Sequence, residues 1–357
     1  MEHSIISPSS MARISKCPAS VPMQRAIPED DTPHETRDIG TAVHWVNEVS
    51  LRGTPVSPGA TCPDNGIIIT QEMINRGKVY VDLCRSIHGQ NHIEVRIDCK
   101  RVHPECFGTA DFWSYNPEIN HITMVDYKDG YIDVSPVENP QLITYDSGII
   151  DLVDGLEINM TVENIIVQPR SGGIKRWSCK ATDLRGFINQ YSYAAHQALS
   201  DDPEAVAGEH CKYCSARAVC KSLGITVQNL VHIADNTPVE PNLAQEYEFL
   251  KFAEKLIKAR LTGIEAVCMK TPPPGYEIGT GRGRKAWSVD TSVIRDTSML
   301  YGLDLMKEPA PITPIQAITA GMPKEVIDGM SNFYAGKPTL KKVDMEALQL
   351  LFKPKEN

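Results

Sequence analysis

The sequence predicts an α/β fold in which a mixed central sheet is flanked by helices, with a mainly helical C-terminal extension. Three observations predict it. Residues 92–100 (HIEVRIDCK) alternate without a break, the period-2 pattern of a half-buried strand. Residues 107–115 and 121–128 have the same character around turn-rich connections, which predicts a three-stranded antiparallel meander. Helical patterns precede and follow it, and a further strand, 162–168 (VENIIVQ), comes after a helix, so the sheet should be mixed.

Each element has its own signal. Residues 1–30 are polar and rich in Ser and Pro, apart from one apolar turn around Ile14. Thr36–Leu51 reads as a helix with Ala42, Trp45, Val46 and Val49 near one stripe, followed by a loop over 52–66 and a second helix over 68–88. In the first strand Ile93, Val95, Ile97 and Cys99 should face one way and His92, Glu94, Arg96, Asp98 and Lys100 the other. Pro140 suits the first turn of a helix running to Val153. Residues 174–180 read as a second late strand and Asp183–Leu199 as a helix. A polar link at 234–242 leads to a long amphipathic helix, Leu243–Met269, then to a Pro-rich break and weakly patterned segments. The expected organisation is one domain over 1–225, a linker over 226–240 and an extension over 241–357, whose role the sequence does not give.

Composition limits the function. Hydrophobic residues make up 41% of the 357-residue chain, enough for a core. No apolar run is long enough to span a membrane, and the first twenty residues lack the apolar stretch of a secretory signal, so a cytoplasmic location is expected. The net charge of −9 is not that of a non-specific nucleic-acid coat protein, though a hydrolase needs only a local basic groove. Ten cysteines in a reducing compartment point to metal or redox chemistry where they cluster.

Asp126-Tyr127-Lys128 places a carboxylate and an ammonium two apart on a strand, hence on one face. Asp111, on the preceding strand, can lie alongside. Hydrolysis of a phosphodiester with a divalent metal needs such converging oxygen ligands and a cation near the attacking water. A lone Asp-x-Lys is ordinarily a surface ion pair, and a helix-borne His44 ordinarily pairs with Glu48 one turn on. The surroundings add weight: Glu94 one strand earlier, His44 on a preceding helix, and Gln141 and Tyr145 on one face of a following helix.

In that order the residues resemble the RecB-like branch of the PD-(D/E)xK nucleases, which includes the nuclease modules of RecB and AddB and the CRISPR-associated RecB-like exonucleases. The resemblance covers residues 5–222 and is carried by His44 in Gly40–His44, Asp111, Asp126 with Lys128, and Gln141 with Tyr145; no Pro precedes Asp111. It implies a restriction-endonuclease-like core and a metal-dependent DNA exonuclease of recombination, repair or end resection. It also implies that His44, Asp111 and Asp126 bind Mg²⁺ or Mn²⁺, with the Tyr127 carbonyl as a further ligand. Lys128 would orient the attacking water and stabilise charge on the phosphate; an ordinary lysine pKa of about 10.4 makes it a cation rather than a base. Glu94 would hold a second metal or position water, and Gln141 and Tyr145 would touch DNA phosphate or brace the site. The layout also resembles phage and prophage nucleases, which implies a host-cytoplasmic location and a recombination or single-strand annealing protein as partner. A non-catalytic DNA-binding or assembly factor that kept the fold is the competing reading.

Cys211, Cys214 and Cys220 are spaced C-x₂-C-x₅-C, and a closed metal site needs a fourth ligand. His210 is adjacent, and Cys17 is distant in sequence. The iron–sulfur subgroup of RecB-like nucleases carries one cysteine before the helix-borne His and three after the core. The resemblance therefore implies that Cys17, Cys211, Cys214 and Cys220 hold a 4Fe–4S cluster joining the two ends of the domain; zinc on the same ligands, or free thiols, are the alternatives. An electron carrier is disfavoured, because no Gly-rich dinucleotide turn is present. Two basic stretches containing tryptophan, Arg170–Arg185 around Trp177 and Arg282–Lys285 beside Trp287, are candidate DNA contacts or solvated faces.

Overall fold

In the computed structural model, strands β1 (Gln90–Asp98), β2 (Phe107–Asn116) and β3 (His121–Tyr127) form the expected antiparallel meander. Strand β4 (Thr161–Gln168) lies parallel to β3, and β5 (Gly173–Lys180) closes the order β1-β2-β3-β4-β5 antiparallel to β4. The parallel step requires a crossover, which the intervening helix supplies. The structure describes residues 4–28, 35–153, 155–236, 243–281, 283–307, 310–335 and 338–342.

Helices cover both faces of the sheet. On one side α3 (Glu35–Leu51) and α4 (Gln71–Ser86) bury Ala42, Val43, Val46, Met73 and Tyr80 against Phe112, Val125, Tyr127, Ile165 and Val167. On the other, α5 (Pro140–Leu152) and α6 (Arg185–Ala198) bury Leu142, Ile149, Ile188 and Tyr191 against Ile97, Ile122, Met124, Val162 and Ile166. Full burial of one such aliphatic side chain stabilises the fold by about 1.5–3 kcal/mol. Local capping agrees with packing: Asn139 accepts the Gln141 and Leu142 N–H groups at the start of α5, with Pro140 in the first turn. Gly148 lets α5 lie close on β1, since a Cβ there would fall 2.5 Å from Ile97 and 2.7 Å from the Asp98 carbonyl.

The N-terminal stretch belongs to this core despite its polar composition. It carries the short helices α1 (Met11–Ile14) and α2 (Ser20–Arg25), and Ile6, Met11 and Ile14 are fully buried. Their apolar residues are too few to show a period, but Ile6 bridges Cys106 at the β1–β2 turn and is held there.

The face assignment expected for β1 needs correction. Ile93 packs on the α3–α4 side, whereas Val95, Ile97 and Cys99 pack on the α5–α6 side. Glu94 causes the switch: its φ is +50°, a left-handed value that interrupts the pleat. Strand β2 switches in step, Ala110 packing with the α5–α6 cluster and Phe112 with the α3–α4 cluster. The ladder pairs Ile93 with Phe112 and Val95 with Ala110, so both strands change face at Glu94 and Asp111.

The chain divides into two units after Arg260. Residues 226–236, read from composition as linker, complete helix α7 (Lys221–Asn236); Leu223 and Leu230 pack with Ala253, Leu256 and Ala259 of α8 (Leu243–Lys270). Residues 237–240 of that linker lie outside the described residues. The second unit contains α9 (Thr291–Leu300), α10 (Pro314–Thr319) and α11 (Lys324–Met330) around Ile294, Leu305, Ala317 and Ile327. Its strands pair as two-stranded ladders: β6 (Tyr276–Thr280) with β11 (Pro338–Lys342), β7 (Arg284–Trp287) with β10 (Ser331–Tyr334), and β8 (Met306–Lys307) with β9 (Ala310–Pro311). Among the described residues, no helix is long and apolar enough to cross a membrane.

Candidate metal centre and cysteine cluster

Strand pairing between β2 and β3 runs only as far as Phe112 with Val125. Beyond it the Asp111 carboxylate takes over, Oδ2 accepting the Tyr127 N–H at 2.8 Å. The side chain thus does the work of a strand neighbour and lies beside Asp126. Buried Ala42, Val43 and Val46 fix α3 on the sheet, and His44 Nδ1 stands 3.5 Å from Asp111 Oδ2. Glu48 instead pairs with Arg52 at 3.0 Å, so His44 takes the sheet-side partner rather than its helix neighbour.

Among the described residues, His44, Glu94 and Asp111 form a group whose ligand atoms all lie within 4.8 Å of one another. The left-handed backbone at Glu94 sets this grouping, and no residue type in the sequence signals it. Asp126, 2% exposed, is directed to the neighbouring cation. Lys128 Nζ donates to Asp126 Oδ1 at 3.0 Å and lies 2.7 Å from Oδ2 without the alignment of a hydrogen bond, so Oδ2 has no donor. Gln141 closes a triangle: its Nε2 donates to Asp126 Oδ1 at 3.0 Å and its Oε1 accepts from Lys128 at 3.2 Å.

Tyr145 braces from one turn further along α5, its hydroxyl donating to the Thr109 carbonyl at 2.7 Å. Gly108 makes room for it, since a Cβ there would lie 2.7 Å from the Tyr145 oxygen. The Tyr127 ring is fully buried, edge-on to His44, and its hydroxyl donates to Asp129 at 2.9 Å.

The electrostatics are those of a site with surplus negative charge. Burial, then Asp111 and Glu48, push the Glu94 carboxyl up to about 8. Burial raises Asp126 as well, and Lys128 only partly offsets it. Burial alone would lower the Lys128 ammonium, but Asp126 and Asp111 outweigh it and hold its pKa above the ordinary value. Lys128 is therefore a fixed cation. A donor set of one imidazole and several carboxylate oxygens, one lacking a hydrogen-bond donor, fits Mg²⁺ or Mn²⁺.

A second network escaped sequence reasoning because its members are far apart in the chain. Arg76 of α4 forks onto Asp129 at 2.9 and 3.1 Å, both residues being buried. Arg170 lies 3.9 Å from Asp129 and 3.7 Å from Glu72. The first basic stretch is largely paired internally: Lys175 with Asp133, Arg176 with Glu163 and Arg185 with Glu157. Of the second, Arg282 lies outside the described residues, Lys285 pairs with Asp328, and Trp287 packs in the second unit's core, donating to the Ile312 carbonyl at 2.7 Å.

The four cysteines lie in one region of the fold. The thiol of Cys211 feels those of Cys17, Cys214 and Cys220, and Cys214 feels Cys17 and Cys220. Hydrogen bonds tie the ends of the domain together: the Ala19 N–H donates to the Glu204 carbonyl at 3.0 Å, and the Gln24 Nε2 side chain to Ser215 Oγ at 3.1 Å. Burial raises the thiols of Cys17, Cys211 and Cys214, so they need a cation to ionise. Arg13 lies beside Cys17 and Cys214, with Nε buried and lacking a partner, a donor that fits thiolate or sulfide. No three of the sulfurs form a group within 4.8 Å. A tetrahedral zinc with Zn–S of about 2.3 Å would bring them to about 3.8 Å. His210 instead points its Nε2 at the Val206 carbonyl, 3.0 Å away.

The chain belongs to DUF2800, a family of proteins of unknown function whose model matches residues 3–341.

Proposed function

We propose that residues 1–260 form a metal-dependent DNA nuclease of the RecB-like kind, acting as an exonuclease in recombination, repair or end resection. The observation that carries the proposal is the convergence of His44, Glu94 and Asp111 with the Asp126–Lys128–Gln141 triangle where β2 leaves β3. Structural ion pairs do not require three carboxylates and an imidazole around one ammonium. Such surplus charge is costly unless a cation satisfies it.

His44, Glu94, Asp111 and Asp126 would hold Mg²⁺ or Mn²⁺, which supplies Lewis acidity toward a phosphate oxygen. The protein's own groups do the rest. Lys128, kept protonated by its carboxylate neighbours, stabilises negative charge growing on the phosphate. Gln141 fixes the rotamers of Asp126 and Lys128 together, and Tyr145 fixes the strand that carries Asp111. Glu94 orients the attacking water.

The Cys17–Cys211–Cys214–Cys220 set would hold a 4Fe–4S cluster. The four thiols interact electrostatically, and the partnerless Arg13 Nε suits a cluster bearing net negative charge. Its role is structural, since ligand binding between the two ends of a domain adds to folding free energy. DNA is the partner, with a recombination or annealing protein as a further one.

A time course on end-labelled linear and on circular DNA, with Mg²⁺ or Mn²⁺, tests the reading. Linear DNA should be shortened from its ends and circles spared, with Asp126→Ala and Lys128→Ala inactive but folded. Undiminished metal-dependent cleavage by either variant discards the site; no cleavage by the unaltered chain with either metal discards the activity.

A further inference from the structure

Between Lys128 and α5 the chain makes a loop whose backbone is clamped from β4 and β5. Gln168, fully buried, donates from Nε2 to the Gly130 and Ile132 carbonyls, each at 2.8 Å, and accepts the Val134 N–H at 3.0 Å. Lys175 donates to the Val134 carbonyl at 2.7 Å and to Gln168 Oε1 at 3.1 Å, and pairs with Asp133 at 2.5 Å. This is far more fixation than a connecting loop needs, and it holds two large apolar side chains out in water: Tyr131 is 69% exposed and Ile132 60%. Single exposed apolar residues are ordinary. Two adjacent ones on a rigid support, three residues from the ammonium of the candidate site, are a surface prepared for a contact.

Tyr131 is also electrostatically prepared. The Arg170 guanidinium lies 4.8 Å from its ring centroid, held in place by Asp129 at 3.9 Å and Glu72 at 3.7 Å. One part of the ring is occupied by a cation while most of it remains open. A cation against an aromatic ring, beside an apolar neighbour, is an arrangement that takes a nucleobase face. Three residues span at most about 11 Å, so a base on Tyr131 lies within roughly two nucleotides of a phosphate at Lys128.

We infer that Tyr131 and Ile132, with Arg170, form a stacking ledge for an unpaired base next to the cleaved phosphate. The inference rests on the nuclease reading and narrows its substrate to single-stranded or frayed DNA. Bases inside a duplex already have both faces stacked and gain nothing from the ledge, whereas a terminal or unpaired base has a face to offer. Stacking of this kind reads no sequence, since every base has a π-face.

The test is binding of a short single strand carrying 2-aminopurine near its end, with Ca²⁺ in place of Mg²⁺, read by anisotropy and by aminopurine fluorescence. The unaltered chain should bind it more tightly than a blunt duplex and quench the probe. Tyr131→Ala should weaken binding about tenfold and abolish the quench. Tyr131→Phe should keep both, because the ring rather than the hydroxyl makes the contact. The ring is exposed, so thermal unfolding should be unchanged in both variants. Unaltered binding and quenching in Tyr131→Ala, in a chain that binds and cuts DNA, overturns the ledge and leaves the nuclease standing. Absence of DNA binding by the unaltered chain removes both.

Discussion

Asp111 Oδ2 accepts the backbone N–H of Tyr127 at 2.8 Å, replacing a strand partner with a carboxylate. The two roles of Asp111, acceptor and charge, can be separated. Asp111→Asn keeps an acceptor oxygen and loses the charge, so the fold should survive while DNA cleavage falls by at least about a hundredfold. Asp111→Ala also leaves a buried N–H unsatisfied, costing about 1–3 kcal/mol. Urea unfolding of both variants beside a cleavage assay checks this; equal stability of the two would show that the N–H finds another acceptor.

Glu94 makes the candidate metal site pH-sensitive. Its carboxyl is raised to about 8 in the folded protein against about 4.5 in an unfolded chain, so folding favours its protonated form. The associated stability is fully present below about pH 4.5 and is lost as pH rises through about 8. In chelator, the melting temperature should therefore fall across that range more than in Glu94→Gln. Mn²⁺ should bind with proton release and reverse the loss, and its apparent affinity should climb up to about pH 8. A flat affinity profile from pH 6 to 9 would take Glu94 out of the ligand set.

The sheet and its helices were legible because their signals are local. Alternation gave β1, β2 and β3, and a proline with a 3.6-residue pattern gave α5. The side chains of Asp126, Lys128 and Gln141 meet, because Lys128 follows β3 two residues after Asp126 and α5 brings Gln141 back over them. What was not legible depends on backbone conformation or on distant partners. The positive φ of Glu94 turns a regular strand inside out at one residue, and period-2 patterning cannot show that. The Arg76–Asp129 pair joins residues 53 apart, and neither is unusual alone. The short N-terminal helices were hidden because Ile6, Met11 and Ile14 are anchored by tertiary contacts rather than by a periodic stripe.

Asp146 offers a control outside the candidate metal site. It is fully buried on α5, Oδ2 accepting from Asn164 Nδ2 at 2.7 Å, while Asp146 Oδ1 and Asn164 Oδ1 lack partners. Burial raises its carboxyl to about 7, so the stability tied to its protonated form is present below about pH 4 and lost as pH rises through 7. Asp146→Asn removes that titration. It should stabilise the protein at pH 8, by up to about 4 kcal/mol, and have little effect near pH 4. Denaturant midpoints at the two pH values decide it; destabilisation by Asp146→Asn at pH 8 would mean that the carboxylate is ionised and useful in the fold.

The cysteine cluster predicts a colour. Protein purified without oxygen should be brown, with broad visible absorption and iron and sulfide in near-equal amounts. Cys17→Ser removes the one ligand from the N-terminal stretch, so it should bleach the protein. The core should stay folded, because Ile6, Met11 and Ile14 are buried in it independently of the cysteines. Colourless protein containing one zinc per chain would replace the cluster with a single ion, and would require the four sulfurs to draw together to about 3.8 Å.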